Sequence, residues 1–172
     1  MEYYFIQATQ DDLNQVYDLI NARMDWMVTK GIKQWEHDHY WSVYPKSYYA
    51  SQVDQHQMYV LKDESKVIGA IILYEEDERW LEDLPLKSYY LHNFVTSLEY
   101  KNVGKIIMNE VESLAIKNNK EAVRLDCMVS NEFLNQYYGN LGYELIGECF
   151  EGIYHGNKRE KRLKHGIIKT ND

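Results

Sequence analysis

A mixed α/β fold, with a central sheet covered by helices, is what this sequence predicts. Three observations lead there. The segment order reads strand, helices, several strands, helix, strand, helix, strands. A strand–helix–strand–helix unit from Tyr89 to Asn140 reads as a parallel crossover, which needs a helix-length connection. The chain has 172 residues, 45% of them hydrophobic, enough to bury a real core in one domain spanning residues 1–172.

Each element has its own signal. Tyr3 to Ala8 is aromatic and β-rich, a first strand. Thr9, three residues before Asp12, resembles a capping box. After it Leu13, Val16, Tyr17, Ile20, Met24 and Met27 recur at helical spacing, and Gly31 closes a helix of about five turns. Residues 32–49 are rich in rings and histidines and poor in aliphatics, and a second helix is expected after Pro45. Gln57 to Leu61 and Val67 to Tyr74 read as strands around a turn from Lys62 to Lys66. The second is almost continuously apolar, which places it centrally with both faces covered. Glu75 to Pro85 is an acidic loop holding Trp80. Tyr89 to Thr96 is a strand, Gly104 to Asn118 a helix with Ile107, Met108, Val111, Leu114 and Ala115 on one stripe, and Ala122 to Val129 a strand. Asn131 to Asn140 is a short helix stopped at Leu141-Gly142, and Tyr143 to Phe150 and Ile153 to Leu163 are closing strands.

Composition excludes several classes. The 14% aromatic share argues against disorder. With 19 Lys and Arg against 27 Asp and Glu, the net charge of −8 argues against a nucleic-acid binder. No segment is apolar for long enough to span a bilayer and no leader is recognisable, so no membrane role and a cytoplasmic location are expected. Cys127 and Cys149 cannot build a disulfide scaffold and lack zinc ligands at useful spacing, so no metal is expected.

The chemistry points to the turn Glu99–Gly104. It joins a strand to a helix, and the first amides of a helix are unpaired donors at the positive end of its dipole. Such a turn holds phosphate oxygens with backbone N–H groups. Gly104 allows close approach, and Lys101 and Lys105 add positive charge. An ordinary strand-to-helix turn would read the same way.

The run LHNFVTSLEYKNVGK from Leu91 to Lys105 resembles motif A of the GCN5-related N-acetyltransferases, the GNAT superfamily. The run RLDCMVSN from Arg124 to Asn131, followed by LNQYYGNLGY from Leu134 to Tyr143, resembles that family's motif B. Gly31 to Trp35 and the rings after it look like the acceptor-side helices of a bacterial branch. The family pattern Gln/Arg-x-x-Gly-x-Gly/Ala fits in two registers. One begins at Lys101. The other, preferred here, begins at Glu99 and puts Asn102 at the central glycine and Gly104 last, which keeps the helix stripe continuous. Asn tolerates the left-handed backbone better than most residues. A carboxylate at position 99 repels a diphosphate unless it points to solvent or pairs with a base.

The resemblance implies a twisted, mostly antiparallel sheet of six to seven strands with about four helices, splayed between its two central strands. It implies transfer of an acetyl group from acetyl-CoA, with coenzyme A as product, to a primary amine on a small molecule or peptide, by direct attack in a ternary complex. Backbone groups of Phe94 and Val95 would hold the pantetheine arm. The amides of Glu99, Tyr100, Lys101, Asn102, Val103, Gly104 and Lys105 would line the diphosphate. Asn131 would touch the cofactor arm, and Tyr138 would hydrogen-bond the departing sulfur, with Tyr137 its rival. His92 is the candidate base, its other reading being an ordinary strand histidine. Glu75, Glu76, Asp77 or a water chain could replace it. Cys127 as a nucleophile is disfavoured, because its strand should bury it.

Trp26, Trp35 and Trp41, with His37, His39 and Tyr40, fall where that family shapes its acceptor pocket. With Glu75 they would suit a cationic amine. The same rings could instead pack a helix or form a homodimer contact. The stretch Gly156–Lys169 gathers Lys158, Arg159, Lys161, Arg162, Lys164 and Lys169 against Glu160, either for an acidic partner or as a solvated last strand. Two other classes stay open. One is a non-catalytic acyl-CoA-binding sensor, suggested by Glu99 and Asn102. The other is a partner-binding protein that has lost the cofactor.

Overall fold

A computed structural model describes residues 2–35 and 37–164, the side chains of His37 and Asp38 excepted. The chain divides into two compact units. The first holds residues up to Leu73 plus His92–Glu110, the second Tyr74–Leu91 plus the chain from Val111 onward.

In the first unit β1 (Tyr3–Gln7) pairs antiparallel with β2 (Met58–Asp63), and β2 with β3 (Lys66–Tyr74). β3 is buried from Val67 to Leu73, as its unbroken apolar run required. The hairpin turn is tighter than the sequence suggested. Both strands run on to Asp63 and Lys66, because Glu64 takes a left-handed backbone (φ 53°). The Thr9 backbone N–H and hydroxyl both donate to the Asp12 carboxylate, at 2.9 and 3.0 Å. A 3-10 turn (Gln10–Asp12) then leads into α1 (Leu13–Thr29), which buries Leu13, Val16, Tyr17, Ile20 and Met24. Gly31, with φ 66°, ends that helix.

Two short helices follow, α2 (His37–Val43) and α3 (Lys46–Asp54), with Pro45 as the N-cap of α3. The sequence reading missed α2, so five α-helices stand among the described residues where about four were expected. Its stretch, HDHYWSV, has no aliphatic periodicity. Tyr40 and Trp41 anchor it through ring contacts, 5.7 Å from Trp41 to Tyr17 and 4.9 Å from Tyr40 to Trp35.

The second unit is built on β5 (Ala122–Met128), β6 (Glu144–Glu151) and β7 (Tyr154–Arg162). β7 pairs antiparallel with both others. The acidic loop contains a 3-10 turn (Glu78–Trp80), and Trp80 is buried. Helix α5 (Glu132–Asn140) starts at Asn131, whose side chain accepts the Leu134 N–H at 3.0 Å. Gly142 (φ 88°) follows its C-cap.

β4 (Ser88–Thr96) and α4 (Val103–Lys117) each run from one unit into the other. The hydrogen-bonded order is β1-β2-β3-β4-β5-β7-β6, a seven-stranded mixed sheet. β4 pairs parallel with β5 from Ser88↔Ala122 to Tyr90↔Arg124. That is the crossover the sequence predicted. Helix α4 starts at Val103, one residue earlier than expected.

Candidate active site

In the first unit β4 changes course at Asn93, which holds a left-handed backbone (φ 48°). The Asn93 side chain fixes this irregularity. It accepts from the Tyr48 hydroxyl at 2.9 Å and donates to the hydroxyls of Tyr40 (3.3 Å) and Tyr49 (3.4 Å), which also bond each other. The next residues are Phe94, half-buried, and Val95, buried. Val95 O lies 3.3 Å from where a Cβ on Gly69 would stand, and Val103 Cγ1 3.0 Å from the same point. Gly69 therefore lets the first turn of α4 sit close on β3.

The motif turn lies between those two contacts. The Glu99 N–H donates to the Ser97 hydroxyl at 3.2 Å. Asn102 is left-handed, φ 62°, at the position where the family pattern has glycine. Ile106 N donates to Asn102 O at 3.0 Å, an early bond of α4, so the amides of Val103, Gly104 and Lys105 come before it. Glu99 is exposed and pairs with Lys66 at 2.6 Å. That hydrogen bond and the lysine charge hold its carboxyl below the usual range. The Lys66 ammonium lies 5.3 Å from the Tyr100 ring centre. Lys101 and Lys105 are exposed and Gly104 half-buried. His92, half-buried on β4, has an interaction of its own.

In the second unit Tyr138 is buried on α5, edge-on to Tyr137 (5.3 Å) and Tyr143 (6.1 Å). No hydrogen bond to its hydroxyl is found among the described residues. Burial, helped by Cys127, Tyr137 and Asp126, raises its pKa well above the ordinary phenol value. Tyr137 is half-buried and is raised by burial alone. Asn135 is bonded on both sides of its amide. Its amide N donates to Met128 O (3.0 Å) and Asn131 O (2.9 Å), and its carbonyl accepts from Asn157 (2.8 Å) and Arg159. Burial lifts the Cys127 thiol to about 11, so little thiolate exists at neutral pH.

The proposed acceptor residues do not form one group within either unit. Trp26, Trp35 and Trp41 belong to the first unit and Glu75 to the second, where it accepts from Lys120 at 2.7 Å. Trp41 Nε1 donates to Asn21 at 3.1 Å, and its ring meets Tyr17, Tyr40 and Tyr49. Trp35 packs on Tyr40. Trp26 already faces a cation, the Arg23 guanidinium at 5.1 Å. The sequence reading overlooked Arg23, although its spacing was a signal. It lies three residues after Ile20 and four before Met27, on the apolar stripe of α1. The Asn93–tyrosine cluster had no local signal, since its members are far apart in sequence.

Among the described residues, no group of three or more His, Cys, Asp or Glu could hold a metal ion, and no helix is long and apolar enough to cross a membrane. Lys158, Arg159, Lys161 and Arg162 of the basic stretch are engaged within the second unit. Lys158 pairs with Asp83, Lys161 with Glu112 and Arg162 with Glu160. Lys169 lies outside the described residues.

The acetyltransferase (GNAT) family model matches residues 13–143. The chain belongs to this family. An uncharacterized N-acetyltransferase of Bacillus subtilis, YesJ, is 21% identical over 92% of this chain and 90% of its own. Among solved structures, a GNAT-family acetyltransferase of Listeria monocytogenes superposes with a TM-score of 0.75 at 23% identity, covering 95% of this chain and 96% of that one. The PaiA N-acetyltransferase of Thermoplasma acidophilum, crystallised with coenzyme A, gives 0.73 at 21% identity over 95% and 100%. Within this GNAT protein the motif A and motif B runs fall in different units, and each fits a local task. The first offers a strand-to-helix turn with amides ahead of the helical ladder, the second a buried tyrosine one helical turn before a helix stop.

Proposed function

We propose that residues 1–172 work as one cytoplasmic domain that transfers an acetyl group from acetyl-CoA to a primary amine on a small molecule or peptide, by direct attack in a ternary complex. The observation that carries this reading is the left-handed Asn102 directly ahead of α4. It supplies the turn that glycine supplies in the family pattern and leaves the amides of Val103, Gly104 and Lys105 as donors for a diphosphate. Backbone groups of Phe94 and Val95, after the Asn93 irregularity, are assigned to the pantetheine arm. The pairing of Glu99 with Lys66 offsets part of the repulsion that favoured a non-catalytic sensor. Asn131 keeps its assignment beside the cofactor arm, with its carbonyl committed to capping α5.

When bound, acetyl-CoA supplies the activated acyl group. Tyr138 keeps its proton at neutral pH because burial raises its pKa, and this O–H can donate to the sulfur as the thiolate leaves. His92 is proposed to take the proton from the amine, because a neutral imidazole nitrogen can accept one. Stacking on Arg23 weakens the case for Trp26 as a cage for a cationic amine, whereas Trp35 and Trp41 keep their acceptor-side assignment.

The test is an acetyl-CoA-dependent thiol-release assay over a panel of amines and peptide N-termini, on the wild type and Tyr138→Phe. A general acid contributes about 100-fold or more. The variant is expected to lose that much in kcat with its affinity for coenzyme A and its folding unchanged. Equal rates would remove Tyr138 as the acid. No turnover on any amine, with coenzyme A still bound, would favour the sensor.

A further inference from the structure

Arg23 differs from Arg79, Arg124 and Arg162, which end on carboxylates, and from Arg159, whose Nε, Nη1 and Nη2 are all engaged. Arg79 meets Asp126 and Glu151, and both Arg124 and Arg162 meet Glu160. Arg159 uses its guanidinium on Asn135 and the Tyr143 carbonyl. Arg23 has no carboxylate partner among the described residues, and it is half-buried on the apolar stripe of α1. Withdrawing a cation from water without a counter-charge is costly, so it needs a compensating reason. Burial pulls its pKa down.

Its geometry is fixed rather than loose. Nη2 donates to Thr96 O at 2.7 Å and to Thr96 Oγ1 at 3.0 Å, and the Trp26 ring supports the guanidinium plane at 5.1 Å. A guanidinium has five N–H donors in a rigid fork. Those on Nε and Nη1 have no acceptor among the described residues, and they are held in place by the Nη2 bonds and the ring. Thr96 is the last residue of β4, and Ser97 after it opens the motif turn. The preceding residue, Val95, meets the same point above Gly69 as Val103 of α4, so Arg23 is tethered at the base of the turn whose far end is the start of α4. The turn's own charges are otherwise arranged. Lys66 is engaged by Glu99, and Lys101 and Lys105 lie out in solvent.

We infer that Arg23 is an oxyanion receptor at the base of the motif turn, taking a phosphate oxygen of coenzyme A where this chain has Glu99 in place of the Gln or Arg of the family pattern. The inference rests on the acetyltransferase reading for the identity of the phosphate. A carboxylate on the acceptor would present the same chemistry to the same fork.

Calorimetric titrations of the full chain with coenzyme A and with pantetheine, which lacks the phosphates, separate the outcomes. Arg23→Gln is expected to weaken coenzyme A binding by about tenfold to a hundredfold, the worth of a charge-assisted hydrogen bond. Pantetheine binding should not change, and Arg23→Lys, with the charge but not the fork, should fall between. If coenzyme A binding is unchanged while KM rises for carboxylate-bearing amines but not for their amides, the receptor stands and the acceptor supplies the oxyanion. No change in either arm overturns it. Circular dichroism checks the fold, and should Arg23→Gln fail to fold, Arg23→Lys carries the same comparison. If the wild type does not bind coenzyme A, the acetyltransferase reading falls on its own. Inorganic diphosphate then decides Arg23, through a rise in wild-type Tm that Arg23→Lys reduces. Equal protection of both proteins would overturn it.

Discussion

In the second unit Arg79, Arg124 and Lys158 end on carboxylates, whereas in the first unit, where Lys62 holds the buried Asp12 at 2.6 Å, the polar centre around Asn93 is uncharged. Arg124, 1% exposed, donates to Glu160 at 2.8 Å, to the Tyr90 hydroxyl at 3.1 Å and to Leu84 O at 2.7 Å. Lys158 meets Asp83, and Arg79 meets Asp126 and Glu151. These bonds tie the acidic loop to β5, β6 and β7. The first unit instead closes Tyr40, Tyr48 and Tyr49 on one asparagine amide, and leaves Arg23 with a carbonyl, a hydroxyl and a ring. The difference separates charges that hold the fold from a charge that is left available. Counting basic residues along the sequence cannot make that separation. It flagged residues 156–169, whose described cations are mostly internal fasteners, and passed over Arg23.

The comparison breaks most visibly at Arg124. Arg124→Ala leaves Glu160 buried and deprived of its main partner, which is expected to cost about 3–5 kcal/mol of folding free energy in denaturant unfolding. A loss under about 1 kcal/mol would mean that the ion pair is not a fastener and would blur the contrast with Arg23. A smaller effect is expected in the first unit. The Cβ of Gly69→Ala would stand 2.5 Å from Ile107 Cδ1, 3.0 Å from Val103 Cγ1 and 3.3 Å from Val95 O. Overpacking of this kind costs about 1–3 kcal/mol. Because two of those contacts come from the first turns of α4, coenzyme A affinity should fall together with stability. A stability loss with unchanged affinity would detach the turn from the cofactor.

Most elements were legible because their patterns are local. The α1 stripe and the unbroken apolar run of β3 each lie within one continuous segment, and the parallel crossover follows from the order of such segments. Helix α2 was not legible, since rings held by contacts to α1 and α3 leave no aliphatic period behind. In the motif turn the left-handed position was legible at Asn102, although α4 begins one residue earlier than expected. The turn's electrostatics were not, because Lys66 and Glu99 are 33 positions apart and Arg23 and Thr96 are 73 apart. The acceptor side was the least legible. Tryptophans and acidic residues suggested a cage for a cation, yet Trp26 faces an arginine and Glu75 is taken by Lys120.

The central claim is that the amides opening α4 bind the diphosphate of coenzyme A. Backbone amide NMR of the folded chain, recorded while coenzyme A is added, tests it directly. The account predicts that the amides of Val103, Gly104 and Lys105 shift most, in a saturable way. Saturable binding that leaves those three amides unmoved would contradict it.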